Sequence, residues 1–157
     1  MTEWQDTRME LDLLRLGSRE EFQSWLFDDL ELRDELYALI GRELDPDEGS
    51  LEGLEAFLLD RYAGPDDALR PDQRGVLDAA ARHIGLVMIL NVDGALWDID
   101  LHTDGSPYYR LPVIVLDDGA QECPLSMATA CLDRRTGDYL HTLVTNYERA
   151  YNGEPLP

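Results

Sequence analysis

Asp98, Asp100, His102 and Asp104 alternate along one short segment. If that segment were one extended strand, all four side chains would project from the same face. Three carboxylates and an imidazole can hold a divalent metal ion, which would suit a small metal-dependent hydrolase. The solvent side of a half-buried strand produces the same alternation, and that is the leading reading. A calcium loop starting at Asp100 does not fit. Its twelfth position is Leu111 instead of an acid, its third is His102, and Pro107 lies inside it. His83 and His141 have no second histidine at ligand spacing. His83 is expected at a helix boundary or partly buried. Cys123 and Cys131 match no zinc pattern and lie in an apolar stretch, so they read as buried free thiols. A helix dipole could lower the thiol pKa of Cys123, which precedes Pro124 at a helix start. G-x-S-x-G, P-loop and H-E-x-x-H patterns are absent. No catalytic residue and no cofactor is assigned.

The acids of the first third carry more information. On one continuous helix, Glu21, Asp28, Glu31 and Glu35 would fall within about 80° of each other, forming an acidic stripe. Asp45, Asp47 and Glu48 extend the charge into the following turn. A solvated face is the plain explanation for such a run. It gains a second meaning because few basic residues interleave. These seven acids are the candidate partner-binding residues. Trp4, Trp25, Trp97, Tyr108 and Tyr109 are candidate aromatic anchors, with Trp25 and Trp97 better placed in the core.

The elements that would position them can be read in outline. Ser18 and Glu21 form a capping box ahead of Phe22, Trp25, Leu26, Leu30, Leu36, Leu39 and Ile40, which keep to a helical stripe. Asp28 and Asp29 can divide that stripe into two helices. After a break over residues 45–49, Ser50 caps a helix with Leu51, Leu54, Phe57, Leu58 and Tyr62 on one side. Pro71 suits the first turn of a third helix, which buries Val76, Leu77, Ala80, Ile84, Val87 and Met88. Its pattern continues without a breaker to about Asn91, which favours helix there over the alternative of a strand at residues 86–90 with a hairpin turn at Asp93-Gly94. Trp97, Ile99 and Leu101 alternate with Asp98 and Asp100 as a strand. Residues 108–116 should pair with it, Pro112 marking an edge or bulge. Pro124 opens a short helix. Leu140, Leu143, Val144, Tyr147 and Tyr151 mark a longer one, with Gly153 past its end. The fold class is α+β, helices packed around a small antiparallel sheet. One domain is expected over residues 1–157, with a strongly acidic helical part at about 1–62 and an α+β remainder at about 63–157.

The totals narrow the partners. There are 33 acids against 13 basic residues, all arginine, for a net charge of -20. Residues 1–62 hold 18 acids and 6 arginines, and the remainder holds 15 and 7. Such a surface repels nucleic acid and anionic membranes and draws basic partners from a distance. The first residues are acidic without a signal-like apolar stretch, and the longest apolar run, residues 86–90, is too short to cross a bilayer. A cytoplasmic location is expected.

One stretch carries a resemblance. Residues 80–90, then Gly94-Ala95-Leu96-Trp97, then Tyr108-Tyr109-Arg110-Leu111-Pro112-Val113-Ile114 place a helix, a tryptophan strand and an aromatic strand in series. With its size and acidity, the chain resembles small acidic bacterial immunity proteins of α+β type. The resemblance covers about a third of the chain and assigns no residue a role. It implies binding and neutralising a toxin, often one with a basic nucleic-acid-binding site. The leading expectation is therefore a non-enzymatic protein-binding module that blocks a basic toxin or effector. The alternatives are a DNA-mimic inhibitor, the small metal-dependent hydrolase, and a structural adaptor subunit.

Overall fold

The structure, a computed structural model, describes residues 14–153. Trp4 and the acidic opening residues lie outside the described residues. Within them, seven helices and a three-stranded antiparallel sheet form an α+β fold.

Helix α1 (Arg19–Phe27) starts at the Ser18 cap, but the return bond of the expected capping box goes to Gly17, one residue before the cap. The Ser18 hydroxyl accepts the Glu21 N–H at 3.1 Å, and the Glu21 carboxylate accepts the Gly17 N–H. Asp28 leaves helical geometry and separates α1 from α2 (Asp29–Ile40). The chain therefore turns a corner where the sequence allowed one continuous stripe. Phe22, Trp25 and Leu36 are buried as expected, whereas Leu26, Leu30 and Leu39 are exposed. Asp28 interrupts the helix, so the apolar stripe is not buried as one continuous face. Gly41 ends α2 in the left-handed region at φ +94, a conformation that favours glycine, and its N–H bonds the Tyr37 carbonyl.

Helix α3 (Ser50–Arg61) buries Leu51, Leu54 and Leu58, with Tyr62 just beyond its end. Ser50 is its first residue, and Asp47 provides the side-chain cap by accepting the Ser50 N–H at 2.9 Å. A one-turn helix, α4 (Pro65–Ala68), follows. Pro71 falls in a separate turn, closed by the Arg70 carbonyl accepting the N–H groups of Gln73 and Arg74. Helix α5 (Arg74–Asn91) thus begins three residues later than Pro71 implied. It is the centre of the molecule. All of residues 77–85 except Asp78 are buried, so it has no solvent face there.

The sheet orders β1 (Leu96–Ile99), β2 (Pro112–Val115) and β3 (Gln121–Glu122) as neighbours. Trp97 pairs with Ile114 and Ile99 with Pro112, all antiparallel. Pro112 is the first residue of the middle strand, where a missing N–H is tolerated. Residues 108–111 form turns, so β2 is shorter than the aromatic run implied. Trp97 and Ile99 face α1, while Leu96 and Asp98 are exposed. Trp97 also lies across α5 at Gly85, where any Cβ would overlap its ring.

Helix α6 (Pro124–Arg134) opens on proline at its first position. Helix α7 (Tyr139–Tyr151) closes the described chain. The helix ends are capped from neighbouring elements. Glu55 of α3, fully buried, accepts the Leu140 N–H at 2.8 Å and the Tyr139 N–H at 3.3 Å. Arg135, just past α6, donates to the Leu59 and Tyr62 carbonyls at 2.8 and 2.9 Å. An acid thus meets one helix N-terminus and a cation another's C-terminus, as the peptide dipoles favour.

Two stability tests follow from this packing. Gly85→Ala should cost about 2–3 kcal/mol in urea denaturation, despite the better helix propensity of alanine. Adding Trp97→Leu should recover part of that loss; no loss in the single variant would mean that the ring does not lie on α5. Glu55→Ala should cost about 2–4 kcal/mol and raise hydrogen exchange at Tyr139 and Leu140. Unchanged exchange there would remove the cap from the account.

Candidate functional site

Helix α1 is held mainly through Trp25. Its indole N–H donates to Asp78 at 3.0 Å. Its ring lies edge-on to Trp97, with centroids 4.8 Å apart, and under the Arg82 guanidinium at 3.9 Å. Arg82 is 2% exposed and fully engaged: it bonds Asp78 at 2.8 Å and the Trp25 carbonyl at 2.6 Å, and lies 3.6 Å from Asp29. A buried guanidinium needs this many partners to offset its lost hydration.

The second attachment is a chain of polar groups from α2 to α3. Arg33 pairs with Asp29 at 2.7 Å and donates to the Tyr37 hydroxyl at 3.4 Å. Tyr37 lies 2.8 Å from His83 Nδ1, and Ser50 Oγ lies 2.8 Å from His83 Nε2. Ser50 also donates to the Asp47 carbonyl at 2.7 Å. For a neutral imidazole, one proton assignment satisfies every bond. Ser50 has a single hydrogen and gives it to Asp47, so His83 Nε2–H must donate to Ser50. Nδ1 then accepts from Tyr37, whose oxygen accepts from Arg33. His83 is neutral in this arrangement. Burial, helped by the Arg33 charge and opposed by Asp47, holds its pKa down at about 4. Serine, histidine and a hydroxyl in a row have the layout of a nucleophile relay, but the protons run the opposite way. Nε2 carries the proton and cannot take one from Ser50.

Of the seven acids singled out from sequence, the four placed on a helical stripe, Glu21, Asp28, Glu31 and Glu35, do not share one continuous helix, because Asp28 breaks it. Glu21 and Asp28 border a shallow open cleft of about 500 Å³, together with Leu16, Ser18, Ser24 and the edge of Arg82. Glu31 and Glu35 are exposed on α2, one turn apart. Asp45 is exposed in the turn before α3. Asp47 caps α3. Glu48 faces Glu148 of α7, and burial with the nearby Glu48 charge holds the Glu148 carboxyl above the usual range.

The corner carries a feature that the stripe did not include. Phe27 is 89% exposed, Leu30 62% and Leu26 36%. Glu20, Asp28, Glu31, Asp34 and Glu35 surround them in sequence and are exposed. Arg33, the sole cation between Glu20 and Gly41, is turned inward onto Asp29 and Tyr37. Of the candidate aromatic anchors, Trp25 is buried, and Trp97, Tyr108 and Tyr109 are half-buried. Phe27 is the aromatic that faces solvent here. Its signal in the sequence was an aromatic off the apolar stripe and flanked by acid.

The alternative metal set does not assemble. Strand β1 ends at Ile99, so Asp100, His102 and Asp104 do not continue the face of Asp98. Asp100 instead accepts the His102 and Thr103 N–H groups at 2.9 and 3.0 Å, turning the chain, and Asp98 lies 3.6 Å from Arg19. Among the described residues, no group of three or more His, Cys, Asp or Glu side chains can hold a metal ion. Both cysteines are buried and free, as expected. Burial pushes the Cys123 thiol up, and burial with the Glu55 charge pushes Cys131 up to about 12. Neither is an activated thiolate. His83, expected at a helix boundary or partly buried, is fully buried in mid-helix. His141 lies 3.8 Å from Glu52. Among the described residues, no helix is long and apolar enough to cross a membrane.

Comparison with protein-family models, curated proteins and solved structures returns no match.

The His83 arrangement has a pH signature. An unfolded histidine titrates near 6.5 and the folded one near 4, so the unfolded state binds the extra proton between them. The His83 contribution is fully present above pH 6.5 and is lost as pH falls towards 4. The stability difference between the wild type and His83→Gln should shrink by roughly 3 kcal/mol over that window in urea titrations. A pH-independent difference would contradict a neutral buried His83.

Proposed function

We propose that this chain is a non-enzymatic protein-binding module that blocks a basic toxin or effector, in the manner of an immunity protein. One observation carries the reading: from Glu20 to Gly41 the solvent-facing charges are acidic, the single cation there being folded inward. Such a face accelerates encounter with a basic surface and favours its correct orientation. Exposed carboxylates of α1, α2 and the turn before α3 would take the place of the phosphates that the target binds.

The exposed Leu26, Phe27 and Leu30 favour a second reading, an adaptor subunit held permanently in a larger assembly. The two differ in outcome. An inhibitor abolishes an activity of its partner, whereas an adaptor leaves it intact or supports it.

The test is a tagged pull-down from lysate of the source organism, with nuclease treatment, at low and moderate salt. The expected result is one basic protein at equal stoichiometry, retained after nuclease treatment, whose activity falls when the complex forms. Loss of all retained protein on nuclease treatment, or none at either salt, would count against the reading. An unchanged partner activity would move the adaptor to the front.

A further inference from the structure

We propose that the α1–α2 corner docks on the apolar side of a cationic amphipathic segment of a partner protein, with Phe27 as the inserted side chain. This rests on the protein-binding reading above and deepens it by naming the anchor and the chemistry it meets. Acidity alone would attract any polycation. The corner adds an aromatic that has almost no cover in the isolated chain, followed by Leu30 across the helix break. A large aromatic ringed by polar groups is the usual composition of a binding hot spot. It also sits on a helix with a satisfied cap and a pinned Trp25, so little ordering is needed on binding.

The surrounding charge selects the occupant. Glu20, Asp28, Glu31 and Asp34 are exposed and lie before, between and after the apolar residues in sequence, and no outward-facing cation interrupts them between the exposed Arg19 and Arg42 that bound the stretch. A second copy meeting this face with the same face would set these acids against their own equivalents, at a net charge of -20 per chain. An anionic lipid surface is repelled in the same way. A segment with leucine-like residues on one side and lysine or arginine on its flanks satisfies both the apolar and the acidic parts.

The experiment uses two labelled synthetic probes and the full chain. One is a helical peptide of about 18 residues with leucines on one face and lysines elsewhere. The other carries the same number of lysines among glycine and serine. At about 150 mM salt, the amphipathic probe should bind the wild type about tenfold or more tightly than the second probe. Phe27→Ala should abolish that advantage while leaving the thermal midpoint and the weak lysine–glycine–serine binding unchanged. Equal affinity for both probes, or an advantage that survives Phe27→Ala, would overturn the proposal and leave the acidic protein-binding reading standing. Failure of both probes even at low salt would overturn the two together. Sedimentation showing a wild-type dimer that Phe27→Ala dissolves would assign the corner to a second copy and overturn the proposal.

Discussion

The fold depends on a helix that buries charge in its own middle. Asp78, Arg82 and His83 lie on the part of α5 that the other elements cover, and each must find polar partners there. The partners come from α1 through Trp25, from α2 through Asp29 and Tyr37, and from the start of α3 through Ser50. Purely apolar contacts let helices slide or rotate at modest cost. Hydrogen bonds of fixed direction do not, so the acidic helices have one seat on α5. The exposed corner at Phe27 is a consequence of that seat: with Phe22 and Trp25 turned inward, Phe27 faces out.

Arginines also tie distant stretches of backbone together. Arg82 donates to the Trp25 carbonyl, Arg110 to Leu16, Arg74 to Leu69, and Arg135 to Leu59 and Tyr62. Arg15 donates to Tyr109. These arginines donate to backbone carbonyls, several at the ends of helices. Guanidinium suits this because several N–H groups diverge from one charge. Part of the fold's integrity rests on these arginines.

Local features were legible in the sequence and distant pairings were not. The Ser18–Glu21 box, the break before Ser50, the helix opening at Pro124 and the alternation at Trp97 and Ile99 follow from interactions a few residues apart. His83 could not be placed, because its partners lie 46 and 33 residues away. The Glu55 cap joins residues 85 apart. The acidic stripe was computed on one continuous helix, and the break at Asp28 dissolved it. Leu26 and Leu30 keep to the apolar stripe only on that continuous helix, and both are exposed. The metal set failed because alternation in sequence gives one face only while the strand lasts, and β1 ends after Ile99.

The most direct test of this account is the nitrogen NMR spectrum of the His83 ring across mildly acidic pH. The polar chain from Arg33 to Asp47 requires a protonated Nε2, a bare Nδ1 accepting from Tyr37, and shifts that stay constant until pH approaches about 4. That result would show the α2 and α3 attachments in place in solution. A proton on Nδ1, or a titration midpoint near 6.5, would contradict it. The seat assigned to the acidic helices on α5 would then lose its main support.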